Sequence, residues 1–390
     1  MDSRFNDTGP SLRRCFHGFP SKSLLYMSMS ITALCISGCR YIDEKSGDEY
    51  AVVKALHMSG GDGANSYSAN SLFQRRVLSM AKPVLVKNTE EMMMNLNFPN
   101  YIKVAELGCS SGQNTFLAMS EIINTINVLC QQSNQNPPEI DCCLNDLPEN
   151  DFNTTFKLVP FFKKGLMMTN QASCFVNGTP GSFYSRLFSR NSLHFVHSSY
   201  SLHWLSKVPE KLENDKENVY ISNSSPQSAY KAYLNQFQRD FTMFLTLRSE
   251  EMVSNGRMDS RRLIKTKSRK VAEAIGILGR GLLSESKLDA FNIPFYDPNE
   301  QEVKEVIQNQ GSFEISDLET HGFGVNKAIN HKVGYNRAKS VRAVTEPMLI
   351  AHFGEDIIDI LFDKYARHVT QHANCGNKTS VVLVVALTKK

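Results

Sequence analysis

The sequence predicts an α/β fold whose sheet holds a ligand at the ends of its strands, and three stretches predict it. The first is Tyr101 to Asn114, YIKVAELGCSSGQN, where Ile102, Val104, Ala105 and Leu107 form a short buried strand that breaks at Gly108 into a Gly/Ser loop. The second is the helix that follows: Phe116, Met119, Ile122, Ile123 and Ile126 recur at spacings of three and four, with Ser120, Glu121 and Asn124 on the wet side. The third is Ile140 to Asn153, IDCCLNDLPENDFN, a second strand that ends at Asn145 and Asp146. Open α/β sheets bind ligands beyond the carboxyl ends of such strands.

Strand, loop and helix make the first unit of a nucleotide-binding domain, because glycines let the backbone approach a ligand that larger residues would push away. The loop has neither G-x-G-x-x-G nor the lysine of a phosphate-binding loop, so a ligand without phosphates suits it better. Glu106, just ahead of the first glycine, favours a cation such as S-adenosylmethionine, and Asp146 is placed to accept hydrogen bonds from ribose hydroxyls. A loop that merely turns the chain and a solvated Asp146 remain the plainer readings of the same residues.

A chain of 390 residues has room for one large or two modest domains. A formal charge of +4 with scattered basic residues argues against nucleic acid. Nine cysteines without a C-x-x-C pair fit reduced thiols in a cytoplasmic protein. Ser23 to Cys39 follows Arg13, Arg14 and Lys22 and superficially resembles a signal peptide. Serines dilute its apolar run, it is too short to span a membrane, and a polar leader precedes it, so residues 1–49 read as a disordered leader and no membrane is expected.

Folded sequence begins near Tyr50. His57 to Gln74 starts as a glycine-rich loop and turns helical at Ser71, which fits a linker or a segment that closes over a ligand. Strands are expected at Ser173 to Val176 and Leu193 to His197; the second runs into SSYSLHWLS and sets Tyr200, His203 and Trp204 beyond its end, as pocket walls or as core. A helix from about Pro226 to Val253 carries an aromatic stripe that reads as core. Residues 259–270, DSRRLIKTKSRK, are basic and offer no strand of useful apolar content, while 271–283 suit a helix. Helices at Glu300 to Gln308 and Met348 to His368, a strand near Gly311 and a buried strand from Thr379 to Thr388 complete the chain.

NSYSANSLFQ, ELGCSSGQN, LNDLPENDFN, PGSFYSRLF, HSSYSLHWLS, KLDAFNIPFY and RAVTEPMLIAHFG together resemble the plant SABATH family of S-adenosylmethionine-dependent carboxyl methyltransferases, nearest its salicylate and benzoate members. The resemblance runs from about Ala51 to Met258 and again from Leu282 to the C-terminus, interrupted between Phe323 and Val341. It implies a Rossmann-like class I methyltransferase sheet over residues 50–390, with a helical cap drawn mainly from 226–310 and 340–372. It implies methyl transfer to the carboxylate of a small aromatic acid, benzoate or salicylate, by a homodimer. Its cofactor positions fall on Tyr67, Ser71, Cys109, Asn114, Asp146, Leu147, Ser182 and Phe183, and its acid positions on Gln74, Tyr200, His203 and Trp204. Some members carry Mg2+ at positions matching Asp215, Asp289, Phe291 and Asn292; Asp215 replaces the more usual Asn, and Phe291 can offer only its carbonyl.

The chemistry needs no general base, because a carboxylate is ionised at neutral pH and the sulfonium methyl needs only a nucleophile in line. Gln74 and Trp204 would hold the carboxylate, Tyr200 would exclude water, and an unprotonated His203 would form a wall. One segment departs. Where the family continues GRM with an apolar V-L-T-x-x-G-R strand and a cap helix, Met258 leads here into the shorter basic run, so the fifth strand is expected to be missing unless RRLIK is forced into its slot. The stretch after Phe323 also lacks the family's acidic loop. A catalytically impaired relative that only binds cofactor is therefore the alternative, with jasmonate or another small acid as the alternative within the enzyme class.

Overall fold

Seven strands carry the architecture: β1 (Tyr101–Leu107), β2 (Glu139–Asp146), β3 (Cys174–Pro180), β4 (Leu193–Ser199), β5 (Met252–Leu263), β6 (Phe313–Gly324) and β7 (Thr379–Lys389). They form one sheet in the order β3-β2-β1-β4-β5-β7-β6. The first five pair in parallel and β7 is antiparallel to both its neighbours. The computed structural model describes residues 54–167, 173–209, 221, 225–263, 279, 282–324, 332–371 and 379–390. The expected leader and most of the expected 271–283 helix lie outside the described residues.

Alternation along β1 assigns the two faces. Ile102 and Val104 point into a cluster with Met92 and Met93 of α3 (Lys82–Asn95) and with Met119, Ile122 and Ile126 of α4 (Asn114–Gln132). Ala105 and Leu107 point the other way, toward Tyr233, Phe237, Phe241 and Phe244 of α7 (Gln227–Glu251) and Val303 and Ile307 of α9 (Glu300–Gln310). Helix α9 starts on a capping box in which Asn299 and Glu302 bond each other's backbone N–H, and it ends at Gly311, whose φ of 81° is left-handed. Helices on both faces of a parallel sheet are what its hydrophobic runs require, since neither face can be left to water.

A third cluster stands apart from the sheet. Leu288, Phe291 and Ile293 pack there with Met348, Leu349 and Phe353 of α10 (Lys332–Phe353) and Leu361, Phe362 and Tyr365 of α11 (Ile358–Gln371). The single helix expected from Met348 to His368 is two, broken at Gly354 with φ 90°. Within the range 226–310 expected of the cap, α7 and α9 pack on the sheet.

The fifth strand is not missing. Phe195 to Ser199 of β4 pair with Arg257 to Arg261, and the same stretch of β5 pairs with β7 from Arg257 against Thr388 to Leu263 against Val382. Backbone need overrides composition: a central slot offers partners to every N–H and C=O of whatever chain enters it, and leaving it open would orphan the facing groups of β4 and β7. The cost moves to the side chains. Arg257 reaches Glu91 at 2.9 Å, Arg261 reaches Asp259 at 3.1 Å, and both atoms of the second pair lie in fully buried side chains.

The Asp259–Arg261 pair yields a stability prediction. Removing one member leaves the other charged and buried, so Asp259→Ala should lower unfolding stability by about 3 to 5 kcal/mol in urea titration. Replacing both by Val should recover most of that loss, because the strand then carries apolar side chains into an apolar layer.

Candidate active site

The end of β2 holds the loop after β1 in place. The carbonyl of Asn145 accepts from the N–H groups of both Gly108 and Cys109 at 2.9 Å, and the Asn145 side-chain amide donates to the carbonyls of Thr179 and Gly181 at 2.7 and 2.9 Å. Asp146 then reaches across: its carboxylate accepts from Ser110 N–H at 2.7 Å and Leu147 N–H at 2.8 Å, while its carbonyl accepts from Gly181 N–H at 2.8 Å. Three strand ends are thereby locked together around one carboxylate.

Two glycines set the shape of this cradle. Gly108 has φ 78°, and a Cβ there would stand 2.3 Å from that of Ser201; Gly112 has φ 99°, and a Cβ would stand 2.6 Å from Ser68 Oγ. Only glycine fits such close, left-handed positions. From the N-terminal side, Asn114 donates to Ser71 Oγ at 2.9 Å and accepts from Arg75 at 3.3 Å. Gly61 N–H donates to Asp151 at 2.7 Å, and Ser59 N–H to the Ala343 carbonyl of α10 at 2.9 Å. The glycine-rich segment ahead of the domain is thus a strap tied to the cradle and to the third cluster.

The electrostatics follow from burial. Desolvation pushes the Asp146 carboxyl up to about 6, against the two backbone N–H bonds that favour its ionised form. Burial first, and then the charges of Asp146 and Glu106, raise the Tyr67 hydroxyl and the Cys109 thiol, so both stay protonated beside that carboxylate. Glu106 is hydrogen-bonded to His197 within the sheet, so its carboxylate does not stand free for a cation as the sequence suggested. Ser110 Oγ, Ser111 Oγ and Asn150 Oδ1 are buried without a partner, which is the state expected of groups whose partner is a ligand.

Beyond β4 the chain turns through Tyr200, whose φ of 60° is left-handed and whose N–H donates to the Arg261 carbonyl at 3.0 Å. The next residues build an aromatic box. Ring centroids lie 6.0 Å apart for Tyr200 and His203, 4.6 Å for His203 and Phe295, and 5.3 Å for Trp204 and Phe295, with Phe73 edge-on to Tyr200 at 5.5 Å. Tyr184 braces the wall by donating to the Trp204 carbonyl at 2.7 Å. Burial, and secondarily the charge of Arg262, pulls His203 down to about 3, so its ring is neutral at physiological pH. Gln74 Oε1, Tyr200 Oη and His203 Nδ1 are buried and unpartnered.

The structure therefore brings Tyr67, Ser71, Cys109, Asn114, Asp146 and Leu147 around one cradle, joins Ser182 and Phe183 to it through Gly181, and sets Tyr200, His203 and Trp204 beside one another in the box. Asp289, Phe291 and Asn292 share one short segment of the third cluster, with Phe291 packed 4.9 Å from Phe353, whereas Asp215 lies outside the described residues. No group of three or more His, Cys, Asp or Glu side chains suited to a metal occurs among the described residues. Phe295, Phe73 and Tyr184 were missed by the sequence reading; Phe295 sits in a quoted block, but only the pairing of residues 203–205 with 294–296 shows that it faces His203.

Residues 53–390 match the family model described as SAM dependent carboxyl methyltransferase. The chain belongs to that family. A salicylate/benzoate carboxyl methyltransferase of Arabidopsis thaliana is 70% identical over 374 residues, covering 91% of this chain and 98% of that protein. A benzoic acid/salicylic acid carboxyl methyltransferase of Petunia hybrida is 41% identical over 87% of this chain and 99% of its own. A solved loganic acid methyltransferase with SAH superposes with a TM-score of 0.75 at 32% identity, covering 85% of this chain and 98% of that one. As a member of this family the chain uses S-adenosylmethionine, and the donor set fits it: a carboxylate for ribose hydroxyls, unpartnered hydroxyls, and a glycine cradle without a phosphate-binding lysine.

The raised Asp146 gives this carboxyl methyltransferase a pH signature. Its ionised form accepts hydroxyl hydrogen bonds, so S-adenosylhomocysteine affinity should be level above pH 6 and fall by up to about tenfold per unit below it, as the carboxylate takes up its proton. Calorimetric titrations between pH 5 and 8 read this directly, and Asp146→Asn should bind weakly with that pH dependence gone.

Proposed function

We propose that the chain methylates the carboxylate of a small aromatic acid, of the benzoate and salicylate class, giving its methyl ester. The observation that carries the reading is the aromatic box with its buried, unpartnered Tyr200 Oη and His203 Nδ1, set beyond the same strand ends as the Asp146 cradle. Flat aromatic walls suit a flat ring, and buried polar atoms without partners suit a carboxylate that must be held and oriented. The name of the 70% identical relative supports the same class.

S-adenosylmethionine, when bound, supplies an electrophilic methyl whose bond to sulfur breaks as a carboxylate oxygen bonds to it. Tyr67, Ser71, Cys109, Asn114, Asp146, Leu147, Ser182 and Phe183 hold the cofactor in this reading. The Gln74 amide and the Trp204 indole N–H donate to one oxygen of the acid and leave the other aimed along the line of transfer. His203, neutral because it is buried, walls the ring and takes no proton, and the acid needs none removed. No step is routed through magnesium: Asp289, Asn292 and the Phe291 carbonyl offer hard oxygen donors, and they serve here only as the place to look for it. A homodimer in the cytoplasm belongs to the same reading; among the described residues no helix is long and apolar enough to cross a membrane.

A second reading, a relative that binds cofactor without transfer, is favoured by one observation, the arginines buried in β5. Titration with S-adenosylhomocysteine followed by a radiolabelled transfer assay on benzoate, salicylate and jasmonate separates the two: binding with transfer to an aromatic acid supports the enzyme, and binding without any transfer selects the alternative. Trp204→Ala should lower kcat/KM by about a hundredfold while leaving cofactor affinity within a few fold. Equal losses in both would make Trp204 a packing residue.

A further inference from the structure

Four arginines are buried in the described structure, and three have an acidic partner: Arg248 with Glu251, Arg257 with Glu91, and Arg261 with Asp259. The fourth, Arg262, has none. Its side chain is fully buried, its Nε and both terminal nitrogens lack any hydrogen bond, and its guanidinium lies over the ring of Phe241 at 3.9 Å and near that of Phe237 at 5.7 Å. Ring faces attract a cation but accept none of its five N–H donors in the manner of an oxygen. An uncompensated charge of this kind is among the most costly things a core can hold, so its retention points to a partner that arrives from outside.

The position says which. Arg262 stands one residue from the carboxyl end of β5, and the carbonyl of its neighbour Arg261 receives the N–H of Tyr200 at 3.0 Å. On its own face, Phe237 lies 5.3 Å from Tyr296, whose N–H donates to the His203 carbonyl at 2.9 Å. The guanidinium therefore lies on the Phe237–Tyr296 side of the turn, the side that reaches His203, while Tyr200 packs with Phe73 against Val382 and Val384 on the opposite face. The Arg262 charge reaches His203, adding to the fall that burial imposes, and Tyr184, opposing the rise that burial and Asp240 impose, and although burial pulls Arg262 itself down to about 10 it remains protonated at neutral pH. The acid-holding groups named above, Gln74, Tyr200, His203 and Trp204, are all neutral. The buried Asp297, whose charge reaches Tyr200, adds a negative one; a desolvated carboxylate there needs a counter-charge, and among the described residues Arg262 is the one buried arginine without an acidic partner.

We propose that Arg262 is the counter-charge of the acid site: it pairs electrostatically with the carboxylate of the bound acid and selects anionic over neutral ligands. This rests on the carboxyl methyltransferase reading. It also fixes how the residue acts. As the methyl moves, the carboxylate loses its negative charge and the sulfonium its positive charge, so attraction to Arg262 is stronger for the bound acid than for the transition state. Arg262 is thus a binding residue that sets KM, and it does not accelerate the transfer.

The test compares benzoate with its uncharged analogue benzamide on the complex with S-adenosylhomocysteine. Wild-type protein should bind benzoate at least about tenfold more tightly, Arg262→Lys should keep most of that preference, and Arg262→Leu should lose it. In turnover, Arg262→Leu should raise KM for benzoate about tenfold or more, with kcat unchanged or higher and cofactor affinity unchanged. Benzoate turnover with the same KM and the same anion preference in Arg262→Leu overturns this inference alone and leaves the enzyme reading standing. If Arg262→Leu does not fold, an Arg262→Lys protein or a wild type without preference for the anion overturns it equally. Cofactor binding with benzoate neither bound nor methylated overturns both readings together.

Discussion

Everything at the site hangs on the hydrogen-bonding demand of the sheet's central slot. Between β4 and β7 the backbone has unpaired groups on both sides, and a chain entering there gains a ladder along its whole length. That gain draws Met258-Asp259-Ser260-Arg261-Arg262 into a position where side-chain preference alone would refuse it. Once there, the strand closes the sheet, and its end receives the Tyr200 N–H that sets the left-handed turn into the aromatic box. The box therefore depends on a strand whose own sequence argues against its existence.

The cofactor side obeys a different logic. There the chain uses its most typical residues: glycines at positive φ where two backbones approach, an asparagine whose carbonyl serves two amides, and an aspartate held between strand ends. The carboxylate is expensive, as its raised pKa records, and the two N–H donors repay only part of that. A ligand with paired hydroxyls, as in the proposed reading, would offset the remainder.

This contrast explains what the sequence revealed. β1, β2, β4, β7 and α4 were legible because apolar period and turn residues agree with their environment, and the blocks around Gly108, Asp146 and Trp204 carried the residues that the structure gathers beyond the strand ends. β5 was illegible because tertiary pairing overrode composition, which a reading of local pattern cannot register. β3 runs on past the expected Val176 through Asn177 and Gly178, because Cys143 and Leu144 of β2 pair with them. The partners of His203 were hidden for another reason: Phe295 is more than ninety residues away, and only the meeting of two loops makes it a neighbour. Glu106 shows the converse, a residue whose suggestive position is spent on His197 inside the sheet.

The third hydrophobic cluster shares no residue with those beneath the cofactor cradle, although Trp204 touches its rim. Changes among Leu288, Phe291, Met348 and Leu361 act on the side of Trp204 and Phe295 without disturbing the packing under Gly108 and Asp146. Energetic effects at well-separated sites add, so acceptor preference in this architecture can drift by small independent steps while the donor side stays constant. One scaffold can in this way be retuned toward new acids without relearning how to hold the methyl donor.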